Sequence, residues 1–258
     1  MRIPFVAANW KMHKTASEAM SYVTDFNRHE LSATGVEIVL APPFTAIHAT
    51  SAAVAGTATG VAGQDLHWEP QGAFTGEISA HMLKEAGATH VIIGHSERRH
   101  IFGETDEDVQ RKVQTAVKNG LTPIVCVGET LDERESKQTL TVLNRQLEGG
   151  LKGLDGRQVG ALVVAYEPVW AIGTGISATA EIADQIISGP IAQTLNALLG
   201  DTVASTIPLL YGGSVSPSNI EQFMELPTIH GALIGGSSLK PDEFTEIIHL
   251  TAKVKLGK

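Results

Sequence analysis

The chain has 258 residues, 43% of them hydrophobic, and 26 glycines, which fits a globular α/β protein with many tight turns. Its net charge of −9 and pI near 5.5 argue against a nucleic-acid partner, yet leave open a small anion held by backbone N–H groups. A single cysteine, Cys126, excludes an internal disulfide framework, and no stretch reaches the ~18 consecutive apolar residues of a membrane span.

Met1-Arg2-Ile3-Pro4 leads straight into Phe5-Val6-Ala7-Ala8, a short apolar run ending in Asn9-Trp10-Lys11. With no h-region and cleavage site there, a cytoplasmic protein is the expectation. Thr15-Ala16-Ser17-Glu18 is a capping box before a helix carrying Ala19, Val23 and Phe26. Val36–Ala41 is a second strand, stopped by Pro42-Pro43, and a helical segment follows through Ile47 and Val54. Gly60–Gly63 is a third, opening into the connection Gln64–Gly76, which contains Trp68 and Phe74. His90–Gly94 is a fourth and runs directly into His95-Ser96-Glu97-Arg98-Arg99.

Thr105 and Asp108 cap the next helix, with Val109, Val113, Ala116 and Val117 on one face and Asn119-Gly120 as its stop. Leu121–Val127 is a fifth strand ending in Gly128-Glu129-Thr130. A helix with Leu140, Leu143 and Leu147 leads to glycine punctuation at Gly149-Gly150 and Gly153. Leu162-Val163-Val164-Ala165 is a sixth strand, apolar enough to be buried on both faces. Glu167 stands at its carboxyl end, and Pro168 keeps that residue from entering a helix. A helix with Ile182, Ile186 and Ile187 follows. Thr206–Tyr211 and Gly231–Ile234 are the seventh and eighth strands, ending in Gly212-Gly213-Ser214 and Gly235-Gly236-Ser237. Ser216-Pro217 reads as a helix cap, and the last helix starts near Pro241 and buries Phe244, Ile247 and Ile248.

Eight strands alternating with helices at roughly 30-residue spacing imply right-handed βαβ units and a parallel sheet. The length suits a closed (β/α)8 barrel spanning residues 1–258 as one domain, with a doubly wound open sheet as the alternative. In a closed barrel all carboxyl ends of the strands share one face, where enzymes of this fold place their sites. Asn9 and Lys11, His95 and Glu97, and Glu167 would then converge. A desolvated carboxylate such as Glu167 would have a raised pKa, as a general base near neutral pH needs. The glycine turns after strands seven and eight suit phosphate, since glycine lets backbone N–H groups approach an anion. The histidines show no zinc-ligand spacing, so no metal is expected, and His13, His29 and His67 read as surface residues. Cys126 reads as a small buried hydrophobe.

Asn9-Trp10-Lys11, Gly94-His95-Ser96-Glu97-Arg98-Arg99, Tyr166-Glu167-Pro168-Val169-Trp170-Ala171-Ile172-Gly173-Thr174-Gly175, Tyr211-Gly212-Gly213-Ser214 and Gly231–Gly236 closely resemble the triosephosphate isomerase family, in order and at its spacing. The resemblance implies a TIM barrel that interconverts dihydroxyacetone phosphate and D-glyceraldehyde 3-phosphate through an enediolate, without a cofactor, in glycolysis and gluconeogenesis. It implies Glu167 as the base, His95 as the electrophile at the carbonyl, and Lys11 and Asn9 as stabilisers of developing negative charge. The family is itself the known example of a glutamate base beside a neutral histidine whose pKa is lowered by a helix N-terminus. Gly173, Ser214, Gly235 and Gly236 would bind phosphate, and Glu97 and Glu104 would be supporting acids. Residues 168–176 would form a lid, where the apolar Ile176 departs from the polar residue the family often has. Gln64–Glu77 resembles the family's dimerisation loop, with Thr75 reaching the partner's site. A different phosphate-binding barrel enzyme would not need Asn9-Trp10-Lys11 or the lid run, and a non-catalytic binding barrel would not need Glu167, His95 and Lys11 together.

Overall fold

The computed structural model describes every residue except 1, 30, 32, 33, 155–161, 172–177 and 258. Eight parallel strands close into a barrel in sequence order: β1 Phe5–Asn9, β2 Glu37–Ala41, β3 Gly60–Gly63, β4 His90–Ile93, β5 Thr122–Val127, β6 Val163–Tyr166, β7 Leu209–Tyr211 and β8 Gly231–Ile234. Closure is seen at Phe5, which pairs with Glu37 of β2 on one side and Gly231 of β8 on the other. The open doubly wound sheet is therefore excluded.

Period-two alternation sorts the strand residues into two cores. Phe5, Ala7, Val39, Ala62, Ile92, Ile124, Cys126, Ala165, Leu210 and Leu233 fill the barrel interior. Their alternates, among them Val6, Ala8, Leu40, Val91, Val125, Val164 and Tyr166, pack outward beneath the helices. Both faces are apolar, which is why these strands show no polar alternation. The same parity aims the strand ends. Asn9 continues the inward series of Phe5 and Ala7, and Glu167 continues that of Val163 and Ala165, whereas Trp10 joins the outer core.

The surrounding helices are α1 Ala16–Phe26, α2 Ile47–Ala53, α3 Ala80–Glu85, α4 Ser96–Ile101, α5 Asp106–Lys118, α6 Leu131–Glu135, α7 Thr139–Gly150, α8 Ala180–Ile186, α9 Ala192–Leu199, α10 Asp201–Ala204, α11 Ile220–Met224 and α12 Pro241–Leu256. Thr15/Glu18 and Thr105/Asp108 form the expected capping boxes, and Thr130/Glu133 forms another before α6. Gly149 and Gly150 do not punctuate α7 from outside; they are its last two residues. A Cβ on Gly150 would lie 2.9 Å from Val109 Cγ1 and one on Gly149 2.9 Å from Asp106 Cβ, so the two glycines let α7 approach α5 closely. Ser216-Pro217 does not start a regular helix either. The Ser216 carbonyl accepts from Asn219 and Ile220 N–H in a turn, and α11 begins at Ile220. The helix after β6 runs on from α8 through a π-turn, Ile187–Ile191, into α9, with Pro190 breaking the ordinary ladder.

His67 is not a surface residue. Its ring is buried, 4.3 Å from the Trp68 and Phe74 rings, and its Nδ1 accepts from Glu69 N–H, so an apolar stack inside the connection hides it. Cys126 is fully buried in the barrel interior, where burial pushes its thiol well up.

Candidate active site

At the end of β1 the chain turns sharply. Lys11 has a φ of +51°, a left-handed conformation costing a non-glycine residue roughly 1–2 kcal/mol. Polar groups hold it there. Its N–H donates to Asn9 Oδ1 at 3.0 Å, and Gln64 Nε2 donates to the carbonyls of Lys11 (2.8 Å) and Ala41 (2.9 Å). Gln64 is a contributor that the sequence did not disclose, since nothing in its spacing points to β1. The Lys11 ammonium donates to Glu97 Oε1 at 2.6 Å.

β4 delivers the second group. His95 is the N-cap of α4, and its Nδ1 accepts the Glu97 N–H at 3.2 Å. Glu97 thus touches both neighbours, with Oε2 3.7 Å from the His95 ring. His95 Nε2 lies 2.9 Å from Glu167 Oε1, and the Ser96 N–H donates to Glu167 Oε2 at 2.8 Å. The carboxylate is only 2% exposed. A Cβ on Gly128 would come within 1.7 Å of the Glu167 carbonyl oxygen, so the glycine that follows β5 is what lets Glu167 sit at the end of β6.

Burial pushes the Glu167 carboxyl up, but the facing His95 ring, the Ser96 N–H and the Lys11 charge together hold it below the usual carboxylate value. Burial likewise lowers the His95 ring, and Glu167 with Glu97 more than reverses this, so the ring stands above its ordinary value. The raised glutamate and lowered histidine expected from sequence are both inverted here, because each faces the other. Nδ1 already accepts a backbone hydrogen bond, so the proton of a neutral ring sits on Nε2 and points at the carboxylate.

Asn9, Lys11, His95 and Glu167 line a cavity of about 310 Å³ together with Gly212, Gly213, Ser214, Gly235, Gly236 and Ser237. Four of the expected side chains and both glycine turns therefore meet. Gly173 and Ile176 lie outside the described residues, and Thr75 is exposed and is not among the residues lining this cavity. Glu104 is not beside the cavity. It joins a buried ion cluster behind α4 with Lys112, Arg98 and Asp65. Among the described residues, no group of three or more His, Cys, Asp or Glu side chains could hold a metal ion.

The start of the expected lid is also anchored. Glu129, fully buried, accepts from Tyr166 Oη (3.0 Å), Trp170 Nε1 (3.0 Å) and Arg134 Nη1 (3.2 Å), and Arg134 sits 4.6 Å from the Trp170 ring. Burial, then the Glu129 charge, pushes the Tyr166 hydroxyl up, so it stays a donor. Gly128-Glu129-Thr130 is visible in sequence as a strand end, but its partners are brought in by tertiary packing.

A carboxylate, an imidazole N–H and an ammonium facing two glycine turns can move a proton next to a carbonyl while an anionic tail is held apart from the reacting carbons. With the closed barrel, that makes the chain a (β/α)8-barrel isomerase in class. The triosephosphate isomerase family profile matches residues 4–251. The triosephosphate isomerase of Moorella thermoacetica is 52% identical over 96% of this chain and 99% of its own length, and that of Citrifermentans bemidjiense 51% identical over 96% and 98%. The solved structure of triosephosphate isomerase from Bartonella henselae superposes with a TM-score of 0.86 at 40% identity, covering 96% of this chain and 98% of that one. The chain belongs to the triosephosphate isomerase family, an isomerase that interconverts dihydroxyacetone phosphate and D-glyceraldehyde 3-phosphate in glycolysis.

Proposed function

We propose that Glu167 is the base of this reaction, with His95, Lys11 and Asn9 around the substrate oxygens and Gly173, Ser214, Gly235 and Gly236 around its phosphate. The 2.9 Å contact between Glu167 and His95 Nε2 carries the reading. A substrate entering between them takes the Nε2–H on its carbonyl oxygen and leaves Glu167 facing carbon. With His95 turned to the carbonyl oxygen, the carboxylate loses the group that does most to lower its pKa, and burial then pushes it up against the Ser96 N–H and the Lys11 charge alone. It takes a proton from C1, the C–H electrons form the C1–C2 double bond, and the carbonyl electrons move to oxygen. The resulting enediolate is stabilised by the His95 N–H and the Lys11 ammonium. His95 Nε2 gives its proton to O2 and takes the one on O1, and Glu167 then returns its proton to C2 as the O1 electrons form the C1 carbonyl. Glu97 supports the site by holding Lys11 with its carboxylate and His95 Nδ1 with its N–H.

Lys11→Met tests the cation. Its kcat/KM is expected to fall about 10²- to 10³-fold, the scale of one lost oxyanion donor, with the fold intact by circular dichroism. A variant within a few-fold of wild type would remove Lys11 from the reaction.

The chain acts as one barrel domain, in the cytoplasm, and as a homodimer through Gln64–Glu77 with Thr75 completing the partner's site. Support for the dimer comes from large apolar groups left exposed near that loop and the strand ends: Met12, Phe74, Met82, Ile101 and Phe102. For the location, the support is the lone cysteine and the absence, among the described residues, of a helix long and apolar enough to cross a membrane. Sedimentation is expected to give twice the mass of one chain at assay concentrations, and a fully active monomer would defeat the dimer.

A further inference from the structure

Three residues beyond Lys11, Lys14 also adopts a left-handed conformation, with φ +73°. It forms no part of the cavity wall. A lysine in this region again costs roughly 1–2 kcal/mol, and strain of that kind persists only where the surroundings over-determine it. They do so here. The Lys14 ammonium lies 4.9 Å from the centre of the Tyr22 ring and 5.6 Å from that of Trp10, and these two rings pack edge to face at 4.7 Å. Beyond the rings it donates a 2.9 Å hydrogen bond to the Leu239 carbonyl.

Leu239 is the last residue of the 3₁₀ turn Gly236–Leu239, which follows β8 and begins at the cavity. The front of this turn is fixed by Ser238, whose N–H and hydroxyl both donate to the Gly235 carbonyl at 2.9 and 2.6 Å. Among the described residues, the Ser238 hydroxyl holds the Gly235 carbonyl just before the turn, and the Lys14 ammonium holds the Leu239 carbonyl at its end. The turn starts beside the reacting groups, since Gly235 and Gly236 line the same cavity as Lys11, His95 and Glu167.

We propose that Lys14 is a positioning residue for phosphate binding: from the aromatic seat of Trp10 and Tyr22 it ties down the back of the Gly236–Leu239 turn, so that Gly235 and Gly236 keep their N–H groups toward the cavity. This rests on the reading of that turn as the phosphate site. Lys14 touches neither the substrate nor the base. Its loss therefore acts on binding of the phosphate rather than on proton transfer.

Three substitutions separate placement from stability. Lys14→Met keeps an aliphatic stem against the rings without a donor. Lys14→Gly removes the donor and also relieves the left-handed backbone, so it folds even if the first variant does not. Lys14→Arg keeps charge and donor. The Met and Gly variants are expected to raise KM for D-glyceraldehyde 3-phosphate and the inhibition constant of inorganic phosphate together, by roughly tenfold, the scale of one charge-assisted hydrogen bond. Their kcat should stay within about threefold, and Lys14→Arg should recover most of the loss. A fall in kcat with KM and phosphate inhibition unchanged, or no change in the Gly variant, would overturn the role of Lys14 alone. If inorganic phosphate fails to compete with substrate in the wild type, the phosphate-site reading itself falls and takes this inference with it.

Discussion

Glu167→Gln lowers kcat by about 10²- to 10⁴-fold, the range a positioned general base supplies, and leaves the fold intact. The amide matches the carboxylate in shape, so its oxygen still accepts the Ser96 N–H that now holds Glu167 Oε2 at 2.8 Å. What it lacks is basicity. The pH profile gives an independent sign. The Glu167 carboxyl is held below the ordinary value in the ligand-free protein, so the acid limb of kcat/KM lies below the usual glutamate range. That limb should be absent from the variant. Glu167→Asp keeps a base but retracts it by about one carbon–carbon bond, and misplacement on that scale costs about 10²-fold. Steady-state kinetics on purified protein decide the matter; a glutamine variant within tenfold of wild type would show that Glu167 is not the base.

How much of this site stands in the sequence depends on the range of the interaction. The Thr15 and Thr105 capping boxes close within three residues, so their spacing alone locates α1 and α5. Asn9 and Glu167 end apolar strands, and period-two alternation aims both inward once the barrel closes. Their meeting is a different kind of fact. Glu167 and His95 stand 72 positions apart; the expected barrel puts both strand ends on one face, but their roles as a pair came from the family resemblance and their contact only from the fold. The pKa directions reversed because burial, visible as an apolar strand end, is outweighed by a facing ring, which is not visible. Gln64, Glu129 and Lys14 escaped for the same reason, as each acts on a backbone carbonyl or ring from another unit of the barrel. Gly149 and Gly150 mislead in the opposite direction. Glycine usually ends helices, but here it admits a neighbouring helix.

Lys112→Met destabilises the protein by about 3–5 kcal/mol at neutral pH, the usual result of stripping one partner from a buried ion cluster. Lys112, 4% exposed, donates to both oxygens of Asp65 at 2.7 and 2.9 Å and to Glu104 Oε1. Without it, Arg98 alone faces two buried carboxylates, at 2.8 Å from Asp65 and 3.7 Å from Glu104. Burial already raises the Asp65 carboxyl to about 6 from an ordinary 3.8, even with the Lys112 charge pulling it down. The folded state therefore holds this proton more tightly than the unfolded chain does. Its contribution to stability is present in full below pH ~4 and is lost as pH rises through about 6. Removing Lys112 moves Asp65 higher still, so the variant's deficit must shrink on acidification. At roughly 2–4 °C per kcal/mol for a chain of this size, the midpoint at pH 8 should drop by about 10 °C, and by clearly less at pH 5. Asp65 follows Gln64, the residue that holds Lys11, while Arg98 stands on the helix capped by His95. Loosening the cluster should therefore also lower kcat/KM by a few-fold while the protein remains folded. Thermal and urea unfolding at the two pH values test the electrostatic origin, and an equal deficit at both would mean that Lys112 contributes by packing its stem rather than by its charge.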